Sequence, residues 1–183
     1  MSDDVRGELL RQIKDKAVVR GAVTLSSGLQ ADYYIDLRRV TLDGVAAPLV
    51  GQVMLDLTAD LEFDAVGGLT MGADPVAGAM LHAAAARGRR LDAFVVRKAA
   101  KAHGMQRQVE GPEIKKRRVV VVEDTSTTGG SPLAAVEAVR AAGAEVVAVA
   151  TIADRATGAG EKITEGAGVP YLFAFSKDEL GLD

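Results

Sequence analysis

Residues 119–131 read VVVVEDTSTTGGS, and this stretch constrains the chain more than any other. Four consecutive valines form a strand covered on both faces, because β-branched runs without a polar alternation fit the middle of a packed sheet. Two adjacent acids, Glu123 and Asp124, are expected to end it. Thr125, Ser126, Thr127, Thr128, Gly129 and Gly130 then read as a loop, and Ser131-Pro132 opens LAAVEAVRAAG, whose apolar spacing is helical. Ser131 suits an N-cap and Pro132 the first helical position. The N–H groups of such a loop, together with the positive end of the helix, cradle a phosphate dianion. The two acids beside it can take sugar hydroxyls or a metal-bound sugar. A phosphorylated ribose meets these demands together. No Lys follows the glycines, which separates the stretch from the loop that binds nucleoside triphosphates.

The valines alone are equally compatible with an ordinary buried strand, turn and capped helix. The paired acids followed by TSTTGGS are what add ligand chemistry. Other features narrow the setting. The chain has 183 residues and no Cys, so one domain over residues 1–183 is expected, without disulfides, a thiolate nucleophile or a cysteine metal site. No apolar run approaches the roughly 20 residues of a membrane span. The N-terminal MSDDVRGELL is acidic and lacks a signal-peptide core, so a cytoplasmic protein without a membrane partner is expected. A net charge of −3 argues against general affinity for nucleic acid.

That charge is unevenly placed. Residues 97–118 hold four Arg and four Lys against Glu110 and Glu113, about +6, which leaves about −9 elsewhere. A solvated basic loop would read the same way. Lying between two expected strands of a chain with a phosphate cradle, the segment is better explained by a polyanionic substrate.

The rest of the sequence alternates strand and helix patterns. Residues 3–19 are amphipathic through Val5, Leu9, Leu10, Ile13 and Ala17. VTLSSGLQADYYIDLRR suggests two short extended pieces around a turn. Helices are expected over 44–61, 75–88 and 131–143, and strands over 65–69, 92–97, 145–153 and 170–175. Residues 98–117 show neither period and contain Gly104, Gly111 and Pro112, so they read as one long loop. The Gly-rich piece up to residue 168 reads as irregular. This order gives an α/β fold with a mainly parallel central sheet flanked by helices, right-handed crossovers, and ligands outside the carboxyl ends of the strands. GGLTMGADP, RKAAKAHG, EDTSTTGGS and ADRATG all fall at such ends.

The stretch 119–131 resembles the phosphoribosyl-diphosphate (PRPP) motif of the type I phosphoribosyltransferases, which is specific for PRPP and not for its acceptor. RKAAKAHGMQRQVEG resembles the catalytic loop of the orotate phosphoribosyltransferases, with Arg97, Lys98, Lys101 and His103 at the matching positions. VTLSSGLQADYYIDLR and the pair Asp154-Arg155 extend the resemblance over most of the chain. It implies an N-terminal hood over about residues 1–40 and a lid loop over about 98–117. It implies transfer of phosphoribose from PRPP to N1 of orotate, giving orotidine monophosphate and diphosphate, with Mg²⁺ as cofactor. Arg97, Lys98, Lys101 and His103 would stabilise the departing diphosphate. Glu123 and Asp124 would hold the ribose hydroxyls, and Thr125, Ser126, Thr127, Thr128, Gly129, Gly130 and Ser131 the 5′-phosphate. Ser26, Tyr33, Tyr34, Thr127 and Arg155 would face orotate. Asp124 is a candidate for the metal, which would otherwise be held by the diphosphate and ribose hydroxyls. The family is a two-fold homodimer whose lid closes over the neighbouring subunit's site.

Two departures from the family pattern stand out. Many members carry Lys where this chain has Ser26, and Tyr-Lys-Gly where it has Met71, Gly72 and Ala73. One cation toward the diphosphate is missing, and Asp74 is a candidate to hold metal-bound water. A purine phosphoribosyltransferase would share EDTSTTGGS without the lid or the hood sequence. A PRPP-sensing regulator that binds nucleic acid would need a basic face elsewhere, whereas the positive charge here lies in the lid.

Overall fold

The computed structural model of the chain describes residues 3–24, 30–99 and 107–182. Helix α1 (Asp3–Lys16) buries Leu9 and Ile13 on one face. Strands β1 (Val18–Thr24) and β2 (Gln30–Ile35) form a separate antiparallel pair, with Val18 opposite Ile35. A four-residue helix, α2 (Arg38–Thr41), leads to α3 (Ala46–Leu57). Then follow β3 (Ala65–Leu69), α4 (Ala73–Ala86), β4 (Asp92–Val96), β5 (Val109–Glu110) and β6 (Arg118–Ser126). The chain continues through α5 (Gly130–Ala141), β7 (Glu145–Asp154), α6 (Ala159–Ala167) and β8 (Tyr171–Phe175).

Six strands make the main sheet in the order β5-β4-β3-β6-β7-β8. All pairings are parallel except that of β5 with β4. The valines of β6 show why the sheet is covered twice. Val120 and Val122 belong to the core shared with α1, α3 and α4, while Val119 and Val121 belong to the one shared with α5 and α6. All four are 0% exposed. A buried valine contributes about 1.5–3 kcal/mol, so this strand alone anchors both layers.

Four sequence expectations are corrected. Glu123 and Asp124 do not end β6, which continues to Ser126 because β7 stays paired with it as far as Ser126↔Asp154. Ser131 is not the N-cap of α5, and Pro132 is not its first residue. Gly129 caps that helix, with φ 74°, a left-handed turn open to glycine that starts the helix two residues early. The Gly-rich piece before residue 168 is not wholly irregular. Ala159, Ile163 and Ala167, four residues apart, bury one face of α6, and left-handed glycines 158 and 168 bracket it. Residues 98–117 are not a single structureless loop either. Val96 and Arg97 pair with the 108–110 segment, Ile114 is buried, and Arg117 donates to Asp92 at 2.7 Å.

Candidate active site

The carboxyl ends of β3, β6 and β7 lie side by side, and each carries one of the segments read as ligand-binding. At the end of β6 the backbone itself holds the acids. Glu123 is buried, and its Oε1 accepts the Asp124 N–H at 3.1 Å. Asp124 Oδ1 accepts the Thr125 N–H at 2.6 Å. Burial, and then the charge of Asp124, push the Glu123 carboxyl up to about 8. Burial also raises Asp124, against the pull of the Thr125 N–H and of Arg38. Two acids in this state are poised to receive hydroxyl or cation partners that restore what burial took away.

The turn after β3 closes on the same acids. The Thr70–Met71 peptide is cis. A Cβ at Gly72 would fall inside contact distance of Glu123 Oε1 and 3.1 Å from Asp124 Oδ1. Glycine is therefore what lets this backbone lie against the carboxylates. Asp74 accepts the Thr70 hydroxyl at 2.7 Å through Oδ2, while its Oδ1 is buried without a partner among the described residues. Among the described residues no cluster of three or more His, Cys, Asp or Glu could by itself hold a metal ion. Asp74 Oδ1 and the Asp124 carboxylate do suit a hard cation that arrives with phosphate oxygens and water, the usual mode for Mg²⁺.

Beyond β6 the cradle residues separate into two sets. Thr125 and Ser126 finish the strand, and the Ser126 hydroxyl is buried. Thr127, Thr128, Gly130 and Ser131 are exposed around the start of α5, where the first N–H groups have no intrahelical partner. The Thr128 hydroxyl accepts the Gly130 N–H at 3.4 Å.

At the end of β7, Arg155 turns toward this loop rather than toward its neighbour Asp154. Its Nη1 donates to Thr127 Oγ1 at 3.3 Å, and its guanidinium lies 5.8 Å from the centre of the Tyr33 ring. Arg155 Nε is buried without a partner among the described residues, and a planar donor fork with such an N–H is suited to a carboxylate or carbonyl ligand. The Thr157 hydroxyl donates to the Thr127 carbonyl, which ties the two loops again. Between them Ala156 takes φ 52°, a sparsely populated conformation for a residue with a side chain.

The structure thus brings together Glu123, Asp124, Thr127, Arg155 and Tyr33. Tyr34 is half-buried near Arg38. Arg97 lies 3.5 Å from Glu110, and Lys98 is exposed. Ser26, Lys101 and His103 lie outside the described residues. Arg38 was missed by the sequence reading. It donates to Asp36 at 2.9 Å, and its charge also reaches Asp124. Its signal was the segment IDLRR directly after the two tyrosines.

Comparison with known proteins gives the family. The sequence model of the "Phosphoribosyl transferase domain" family fits residues 45–169. Orotate phosphoribosyltransferase of Streptomyces coelicolor is 88% identical over 98% of this chain and 99% of its own. The enzyme of the same name from Corynebacterium glutamicum strain R is 58% identical over 98% of this chain and 96% of its own. Among solved structures, Mycobacterium tuberculosis orotate phosphoribosyltransferase in complex with PRPP superposes with a TM-score of 0.85 at 52% identity, covering 98% of this chain and 99% of that one.

Proposed function

Because the chain belongs to the phosphoribosyl transferase domain family, and within it to the orotate phosphoribosyltransferases, we propose that its reaction runs where β3, β6 and β7 end. The reaction is transfer of phosphoribose from PRPP to N1 of orotate, giving orotidine 5′-monophosphate and diphosphate, a pentosyl transfer of pyrimidine biosynthesis. The observation that carries the placement is the meeting of the buried acid pair with the Thr127–Arg155 contact at the two adjacent strand tips.

Thr127 to Ser131 take the 5′-phosphate on backbone N–H groups and hydroxyls at the start of α5, and Thr125 and Ser126 support that loop from the end of β6. Glu123 and Asp124 accept hydrogen bonds from the ribose hydroxyls and offset the positive charge that grows on the ring as the bond to diphosphate breaks. Arg155 and the Thr127 hydroxyl take the carboxylate and carbonyl edge of orotate, with Tyr33 and Tyr34 beside the ring and Ser26 within the same hood segment. Arg97, Lys98, Lys101 and His103 meet the negative charge that builds on the departing diphosphate. Mg²⁺, carried by diphosphate and ribose oxygens with Asp124 and Asp74 near it, would supply further charge neutralisation. The N–H groups of residues 71–73 take over part of the task of the lysine that Gly72 replaces, the Thr70 N–H being bound to the Val96 carbonyl.

In this reading the chain works as one domain in a cytoplasmic homodimer. The lid of each subunit closes over the partner's site and excludes the water that would hydrolyse PRPP. Incubating the protein with orotate, PRPP and Mg²⁺ and following ultraviolet absorbance tests the reading. Orotate should be consumed only when PRPP is present. Consumption of adenine or hypoxanthine in its place would overturn it.

A further inference from the structure

Tyr171, the first residue of β8, plays no part in the reaction described above. Its ring lies against α6, where Gly160 leaves the space: a Cβ at that position would come within 2.8 Å of the ring. Its hydroxyl passes along the neighbouring strand and meets two side chains of β7, Thr151 Oγ1 at 3.0 Å and Asp154 Oδ1 at 3.2 Å. A phenol has one proton to give. The Asp154 carboxylate can only accept, so Tyr171 donates to Asp154 and accepts from the buried Thr151 hydroxyl. Burial pushes the phenol up to about 12, so this proton stays in place throughout the neutral range. The buried Ser126 hydroxyl faces the same oxygen and has no hydrogen-bond partner of normal geometry among the described residues.

These contacts fall on a decisive rung of the sheet. Ser126 and Asp154 are the last paired residues of β6 and β7, and the next residue on each strand is Thr127 and Arg155. The pairing of β7 with β8 has already ended at Ala153↔Phe175. Past that point the backbone of Asp154 no longer has β8 to fix it, and the chain enters the left-handed turn at Ala156. The side-chain bond from Tyr171 extends the grip of β8 to the residue that precedes Arg155.

We propose that Tyr171 is a positioning residue for orotate: its hydroxyl fixes the Asp154 carboxylate and thereby holds Arg155 in register with Thr127. This rests on the reading that Arg155 takes orotate. The guanidinium fork is directional, so a rotation of the β7 end spoils its alignment with the acceptor while leaving the N–H groups at the start of α5 in place. A merely structural tyrosine would act through its ring, which packs near Phe173 with centroids 6.0 Å apart and which phenylalanine preserves.

The experiment is steady-state kinetics on the full chain with each substrate varied, for Tyr171→Phe, Asp154→Ala, Asp154→Asn, the Tyr171→Phe/Asp154→Ala double variant and Arg155→Lys. Tyr171→Phe should raise the orotate KM about three- to tenfold, as expected for one lost hydrogen bond, with the PRPP KM changed less than about twofold. Asp154→Ala should do the same, and the double variant should be no worse than the more impaired single one, because both remove one contact. Asp154→Asn, which keeps an acceptor for Tyr171, should recover most of the Asp154→Ala loss. An unchanged orotate KM in Tyr171→Phe, equal rises in both KM values, or multiplying effects in the double variant would each overturn the proposal. If Tyr171→Phe does not fold, the contrast between Asp154→Ala and Asp154→Asn decides, and equal orotate KM values in those two reject it. Arg155→Lys separates the two levels. A raised orotate KM there with a silent Tyr171→Phe rejects the role of Tyr171 alone, whereas a silent Arg155→Lys rejects the orotate assignment and the positioning role with it.

Discussion

Gly72 and Glu123 are in such close approach that no side chain fits between them: a Cβ at position 72 would collide with Glu123 Oε1. One residue belongs to the turn after β3 and the other to the end of β6, so the contact locks two strand ends together. Gly72→Ala should therefore force the buried Glu123 carboxylate aside, since the glycine backbone has no comparable freedom to retreat. Overpacking of this kind costs about 1–3 kcal/mol of stability. Chemical denaturation should show that loss, and kcat/KM for PRPP should fall by a larger factor than that for a variant on the far side of the sheet. Full activity with unchanged stability would show that the approach is looser than described.

The layers of this fold were legible because burial writes a period into the sequence. Valines 119–122, all apolar, could only belong to a strand covered twice, and alternate members do pack into opposite cores. The ends of elements were less legible. Glu123, Asp124, Thr125 and Ser126 look like a turn, yet β7 holds them in the ladder, a constraint from a partner strand that local composition does not carry. Helix α6 was hidden by its glycines, although Ala159, Ile163 and Ala167 carried the four-residue spacing. In the site, the residue types were readable, but the Arg155–Thr127 contact depends on the register of two strands, and the charge of Arg38 reaches Asp124 through space from α2.

Asp124→Asn tests the electrostatic part of the mechanism. The amide keeps the shape of the carboxylate and removes the charge that the proposed reaction sets against a developing cation. Loss of one such contact costs about 2.7–4 kcal/mol of transition-state stabilisation. The expected result is a large fall in kcat/KM with a melting temperature close to that of the parent protein. A fall of less than about tenfold, roughly 1.4 kcal/mol, would remove Asp124 from that role.

Glu123 gives a pH dependence of stability whose sign follows from its environment. Its carboxyl is raised from 4.5 to about 8 by burial and by Asp124, so the folded chain keeps a proton that the unfolded chain releases. Stability from the neutral acid is fully present below the unfolded value and is lost as pH rises through the folded one. The melting temperature of the ligand-free protein should thus decline between about pH 5 and about pH 8. Glu123→Gln, neutral at every pH, should flatten that decline. An identical slope in both proteins would mean that Glu123 is ionised in the folded state at neutral pH.

Subunit complementation tests the assembly on which the lid depends. If the lid of one chain serves its partner, Lys101 and His103 of one subunit act opposite Glu123 and Asp124 of the other. Lys101→Ala and Asp124→Asn chains would each be inactive alone. In a mixed dimer, one site then receives both lesions and the other receives neither. Random reassortment should restore about a quarter of parental activity, because half of the dimers are mixed and each has one intact site of two. A lid that closes on its own chain gives the opposite result: every site keeps one lesion, and mixing restores nothing even after subunit exchange has been verified by mass. The two arrangements differ only in which chain supplies the cations, so complementation reads that connection directly.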